Sequence, residues 1–199
     1  YAGTSPNIIK DLAGNALATF TARSADTFLS SATVTSLYSD YTNLTLTGSS
    51  AINGTGNAKS NTIVGNQGNN LINGGLGNDI LTGGTGSDTF RFDSVLNGTS
   101  NVDRITDFTP TAVSTTTDRI QLENTGTGLF TAITTTGTLA ANAFISGNAF
   151  TNTTQRIRYD GATGNLFYDA DGSGGAQASI LFATLSTGLT INNTHFQVT

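Results

Sequence analysis

The chain has 199 residues with 24 Gly, two Pro and no Cys, Met or Trp, carries a formal net charge of -5, and is only 11% charged. Scarce Lys and Arg exclude counterion-driven binding to nucleic acid or to an anionic membrane surface, and zero Cys excludes disulfides, zinc-thiolate sites and thiol nucleophiles. Abundant Thr, Asn, Ser and Gly favour short strands and tight turns over helices, and no apolar run reaches the roughly 18 residues of a membrane span.

Residues 1–20 contain NIIKDLAGNALATF, two apolar runs around a polar turn, which reads as strand, turn, strand. This segment resembles the last strands of a bacterial immunoglobulin-like domain, and the resemblance implies a long extracellular parent such as an adhesin or surface-layer protein. The start, YAGTSPNIIKD, has no basic segment followed by an apolar one, so no cleavable secretory signal is expected there. A first residue Tyr1 in a chain without Met points to the C-terminal piece of something longer. Residues 21–44, rich in Ser and Thr with no clear period, read as a linker or cap in which Leu29, Val34, Leu37 and Tyr41 cover an open end.

Self-similarity dominates residues 45–91. Three nine-residue units run in tandem: GNQGNNLIN (65–73), GGLGNDILT (74–82) and GGTGSDTFR (83–91). GNAKSNTIV (56–64) is a degraded copy, and TLTGSSAIN (45–53) a further one, followed by Gly54 and Thr55 as an insertion. The large apolar residues then fall at Ile52, Ile63, Ile72, Leu81 and Phe90. Six Gly- and Asn-rich residues make a turn and three make a strand; Gly at positions one, two and four allows positive φ and turns carbonyls inward. One unit buries a single large side chain, so units must coil and stack, with strands alternating on two sides and two units per coil. The expected fold is all-β, a parallel β-roll.

Position six, Asn61, Asn70, Asp79 and Asp88, sets side-chain oxygens beside turn carbonyls, an all-oxygen environment that suits Ca2+ better than magnesium. GGLGNDILT and GGTGSDTFR resemble the calcium-binding nonapeptide of the repeats-in-toxin (RTX) family. The resemblance implies ions held between turns eighteen residues apart, by carbonyls at positions two and four and the position-six side chain of one unit, and by positions one, three and six of the other. One such site uses Asn57, Lys59 and Asn61 with Gly74, Leu76 and Asp79; the next uses Asn66, Gly68 and Asn70 with Gly83, Thr85 and Asp88. Two more begin with Gly75, Gly77 and Asp79, and with Gly84, Gly86 and Asp88, closed by later residues, Asp103 first and Asp93 behind it. Asn61 and Asn70 replace Asp, and Lys59 replaces Gly, which lowers ligand charge in the earlier sites. For the turns before Gly74 the competing reading is an Asn ladder that needs no metal.

Residues 92–199 continue as short apolar runs between turns, among them VDRITDF, DRIQL, QRIRYD, NLFYDAD and SILFATL, as expected of an antiparallel β-sandwich or an extension of the roll. YDGATGNLFYD reads as a hairpin. DTFRFD, VDRITDF, DRIQL, IRYDGATGNLFYDADGSG and HFQVT resemble the region after RTX repeats in type I-secreted proteins, including serralysin-like proteases. That resemblance implies an uncleaved export signal near the C-terminus, the type I secretion machinery as a partner, and a secreted or cell-surface location. Asp169 and Asp171 in DADGSG are weaker metal candidates, because an EF-hand loop needs Glu where Ile180 stands.

No enzyme is expected: His195 is the only His, and no HExxH motif exists. Sugar binding lacks Trp platforms, and ice binding lacks a Thr rank at position nine. The expected function is therefore an RTX domain of a secreted protein that folds on extracellular calcium. The alternative is a structural surface-layer or adhesin component that assembles with itself or with cell-surface glycan.

Overall fold

The computed structural model describes residues 27–110, 116–125 and 129–199, so the expected strand pair within 1–20 lies outside the described residues. Its strands are β1 Thr27–Ser30, β2 Asn43–Leu46, β3 Gly54–Thr55, β4 Thr62–Val64, β5 Leu71–Asn73, β6 Ile80–Thr82, β7 Thr89–Phe92, β8 Asp103–Ile105, β9 Arg119–Leu122, β10 Gly137–Thr138, β11 Phe144–Ser146, β12 Ile157–Asp160, β13 Asn165–Tyr168, β14 Ile180–Thr184 and β15 Phe196–Val198. The helices among the described residues are three-residue 3-10 turns, and none is long and apolar enough to cross a membrane.

Successive repeat strands alternate between two facing sheets, so each strand pairs in parallel with the strand two units on. Thr62 pairs with Ile80 and Ile63 with Leu81 in one sheet; Leu71 pairs with Thr89 and Ile72 with Phe90 in the other. The eighth residue of each unit therefore stacks on its equivalent one coil away, and Ile63, Ile72, Leu81 and Phe90 are fully buried. Each large side chain taken from water contributes roughly 1.5–3 kcal/mol, which no single unit could collect alone.

Upstream, the stacking differs from the expected insertion. Gly54, in β3, pairs with Ile72, so it occupies the column position expected for Ile52. Leu44, Leu46 and Ile63 fill the space its missing side chain leaves, a Cβ on Gly54 lying 3.0 Å from Leu44 Cδ2. Residues 27–46 form another, irregular coil: β1 lies parallel to β2, and Val34 bridges to Gly54. Phe28, Val34 and Leu37 point into the core, while Leu29 and Tyr41 are half-buried.

Beyond Arg91 the two sheets continue. β8 stacks on β6 and β9 on β7, both parallel. The larger sheet runs β1-β2-β4-β6-β8-β14-β13-β12-β11, and the smaller β10-β15-β9-β7-β5-β3. Among the described residues, antiparallel pairing is confined to β12, β13 and β14 and to β10 with β15. The expected hairpin is β12–β13, closed by Gly164 at φ +79. The C-terminal strands thus extend the roll's own sheets over one continuous core. Edge-on aromatic contacts carry that core across the junction: Phe92 to Phe182 at 5.2 Å, Phe182 to Phe130 at 5.1 Å and Phe130 to Tyr168 at 5.1 Å.

Candidate metal centre

Each repeat strand starts directly after the position-six residue, which fixes that side chain at the edge of the stack. Asn61, Asn70, Asp79 and Asp88 are all buried. They form two ladders, one on each side of the roll. Asp79 Oδ1 accepts the Asn61 N–H at 2.7 Å, and Asp103 Oδ1 accepts the Asp79 N–H at 3.1 Å. On the other side Asp88 Oδ1 accepts from Asn70 at 2.8 Å, and Asp118 Oδ1 accepts from Asp88 at 2.9 Å. Each carboxylate therefore ties its own turn to the one before.

The turns come in two kinds. In 56–61 and 65–70 the position-two N–H donates to the position-six side chain, Asn57 to Asn61 Oδ1 and Asn66 to Asn70 Oδ1, both at 2.8 Å. The position-two side-chain oxygen accepts in turn from position four and from the position-six amide, which closes a ring within the turn. In 74–79 and 83–88, position two is Gly75 or Gly84, with φ +91 and +92. A left-handed peptide there turns its N–H away, to Asn73 Oδ1 for Gly75 and to Asp107 Oδ2 for Gly84. The Oδ2 atoms of Asp79 and Asp88 are consequently buried with no hydrogen-bond partner.

A glycine lies beside each of those two atoms. A Cβ on Gly74 would overlap Asp79 Oδ2 and lie 3.0 Å from Asp103 Oδ2, and a Cβ on Gly83 would lie 2.5 Å from Asp88 Oδ2. Carbonyls of the turn below approach the other glycines of these turns: Asn57 O lies 2.8 Å from the Cβ position of Gly75, Lys59 O 2.5 Å from that of Gly77 and Gly68 O 2.8 Å from that of Gly86, while Asn66 O closes on Gly84. Burial pushes the carboxyls of Asp79 and Asp88 up to about 6, and burial together with the charge of Asp79 pushes Asp103 up to about 8. Asp118 is raised as well, first by burial. The ion pairs among the described residues join Arg91 to Asp93 and Glu123, and Arg158 to Asp160, so none neutralises these ladders.

Among the described residues no three His, Cys, Asp or Glu side chains converge as a metal cluster. The candidate donors are instead one or two carboxylates amid backbone carbonyls. Such hard, flexible oxygen cages fit Ca2+, and orphaned carboxylate oxygens in glycine-lined gaps are what a cation would satisfy.

Of the expected closing residues, Asp103 sits one coil beyond Asp79. Asp93 is turned to Arg91 Nε at 3.2 Å and Asn73 Nδ2 at 2.9 Å, on the rim of a small cleft that also takes in Asn101 and Asp103. Leu76 and Thr85 sit at position three of their turns, with Leu76 exposed. Asp169 and Asp171 organise the loop after β13: Asp169 Oδ1 accepts the Asp171 N–H, and Asp171 Oδ2 accepts from Ala176 and Gln177. His195 is packed against Phe108, its Nδ1 accepting the Asn192 N–H.

Two residues escaped the sequence reading. Asp118 closes the second ladder, and Asp107 caps both Gly83 and Gly84 N–H groups at 2.8 Å. A signal for Asp118 was present: Asp103-Arg104-Ile105 and Asp118-Arg119-Ile120 are the same tripeptide, matching positions six to eight of the repeat.

Residues 55–90 match the RTX calcium-binding nonapeptide repeat in four copies. No curated protein matches the chain. The stretch is thus a run of RTX repeats, whose ligand is calcium.

Proposed function

We propose that calcium acts as the folding switch of this chain, and that its turns close only where the ion is abundant, outside the cell after type I export. The observation that carries this reading is the pair of buried, partnerless oxygens, Asp79 Oδ2 and Asp88 Oδ2. A bound calcium ion supplies positive charge to these oxygens and draws the carbonyls of adjoining turns together. Asp79 would serve two gaps, one shared with Asn57 O, Lys59 O and Gly74 O, the other with Gly75 O, Gly77 O and Asp103. Asp88 would serve the equivalent gaps on the other side, with Asn66 O, Gly68 O and Gly83 O below and Gly84 O, Gly86 O and Asp118 above. Leu76 O and Thr85 O complete the lower pair.

The unfolded chain has no preformed site, so the free energy of binding becomes free energy of folding. Uncompensated, the same buried carboxylates oppose folding. A chain built this way stays open at cytoplasmic calcium, passes a narrow export channel, and closes at the higher concentrations found outside.

Circular dichroism during a calcium titration from a chelated start, with magnesium as control, tests this. A cooperative gain of β signal with calcium alone is expected. Full β structure in chelator, unchanged by calcium, would overturn the switch, and light scattering in the same cell reports whether folded chains also assemble.

A further inference from the structure

The two kinds of turn divide the roll, and the division lies in the side chain at position two. In the first pair of repeats that residue is Asn. The Asn57 amide donates to Tyr38 O at 3.0 Å and Tyr41 O at 2.9 Å. One unit on, the Asn66 amide donates to Thr47 O at 3.2 Å and Ser50 O at 2.9 Å. Each NH2 group therefore bridges two carbonyls of the coil below, which is the service a cation performs in a carbonyl cage. Its own oxygen meanwhile accepts from Lys59 N–H or Gly68 N–H and from the position-six amide, so donors and acceptors of the turn are matched without any ion.

The next two repeats have no amide to offer. Gly75 and Gly84 take left-handed φ, as do Gly77 and Gly86 at φ +120 and +126, whereas Gly68, at the same place in its turn, does not. The consequence at position six follows directly. Asn61 Oδ1 and Asn70 Oδ1 are satisfied within their own turns, while Asp79 Oδ2 and Asp88 Oδ2 have no partner.

We propose that Asn57 and Asn66 are built-in substitutes for a cation, so that the gaps beneath residues 56–61 and 65–70 close without calcium while the gaps beneath and beyond 74–88 require it. The proposal rests on the calcium reading for the later gaps only. It gives the roll a metal-independent first coil, on which the calcium-dependent coils can stack, and it explains why Asn is tolerated at position six where carboxylates are otherwise needed.

The slope of the folding constant against calcium concentration counts the ions taken up on folding. That slope, with the calcium midpoint, separates a ligand from a substitute for one. In Asn66→Ala the midpoint rises a few-fold, because Thr47 O and Ser50 O lose their donors, while the slope stays that of the unmodified chain. Asn57→Ala, in a more exposed turn, shows a milder form of the same result. Asp79→Asn is the reference for a lost ligand and lowers the slope. An Asn66→Ala slope that falls as in Asp79→Asn makes Asn66 a calcium ligand and overturns the proposal, as does an unchanged midpoint. If the unmodified chain shows no slope at all, the calcium reading fails. Urea unfolding of Asn66→Ala then decides the amide's role by itself, a lower midpoint upholding it and an unchanged one removing it.

Discussion

Asp118 lies thirty residues beyond Asp88 in sequence yet one coil above it, and its Oδ1 accepts the Asp88 N–H at 2.9 Å. Its other oxygen accepts the Thr109 N–H at 2.8 Å, while the Asp118 N–H returns to Thr109 O. One carboxylate thus closes the second ladder and pinches the base of the loop between β8 and β9. Removing it strands the buried Asp88 N–H and the half-buried Thr109 N–H, so Asp118→Ala should cost about 2–3 kcal/mol. Urea denaturation in excess calcium measures this. Asp93→Ala, which breaks a partly exposed pair with Arg91, should cost under about 1 kcal/mol, and equal losses would refute the assignment of Asp118 as the closing residue.

Asp79→Asn and Asp88→Asn should act in opposite directions with and without metal. In chelator each substitution removes a buried carboxylate that no cation neutralises and so favours the folded chain. With calcium each removes ligand charge, and the midpoint for folding should rise about tenfold or more. Paired titrations of the two variants and the parent, followed by β-sheet circular dichroism, check both signs. A variant that folds less readily under both conditions would show that the carboxylate acts only as a hydrogen-bond acceptor for Asn61 or Asn70.

Proton binding gives an independent handle on the same groups. Asp79 and Asp88 stand at about 6 and Asp103 at about 8 in the folded, metal-free chain, against 3.8 when unperturbed. Between those limits the folded state holds protons that the unfolded state has released. Metal-free stability therefore falls as pH rises through about 4 to 8. In chelator, thermal unfolding should occur at higher temperature near pH 5.5 than near pH 8, roughly the two ends of the accessible window. With calcium the order reverses, since protons and the cation compete for the same oxygens. A metal-free chain that gains stability toward pH 8 would contradict the burial of these carboxyls.

The roll itself was legible in the sequence because its physics is local and repeated. Ile63, Ile72, Leu81 and Phe90 recur at the eighth place, and a side chain that recurs every two units must stack on itself. Legibility failed where the period breaks. The repeat spacing assigns Gly54 to an insertion, yet it stands in the column of Ile72, because Leu44, Leu46 and Ile63 can fill its empty volume and the strand register is set by hydrogen bonds from both neighbours. Asp118 was missed because a long loop separates it from the last repeat, although its Asp-Arg-Ile matched. The sealing role of Asn57 and Asn66 depends on which way one peptide faces, and composition carries no sign of that. In the C-terminal region the strands were visible as apolar runs, but their membership of the roll's two sheets is a nonlocal choice, made by the shared core through Phe92 and Phe182.

Glycine substitutions separate backbone strain from metal geometry. Gly48 and Gly84 both hold left-handed φ, at +83 and +92, so an alanine at either costs roughly 1–2 kcal/mol of backbone energy. A Cβ at Gly48 meets nothing within 4 Å, whereas one at Gly84 overlaps Asn66 O, a carbonyl assigned to the calcium gap beneath Asp88. Gly48→Ala should therefore lower stability by a similar amount at any calcium concentration and leave the number of ions taken up unchanged. Gly84→Ala should lose more, and should in addition raise the calcium midpoint and reduce the ions bound, because the carbonyl must move out of the gap to admit the methyl group. Calcium titrations of both variants read this difference directly. If Gly84→Ala behaves as Gly48→Ala does, Asn66 O is not a ligand, and the gap beneath Asp88 is held by hydrogen bonds alone.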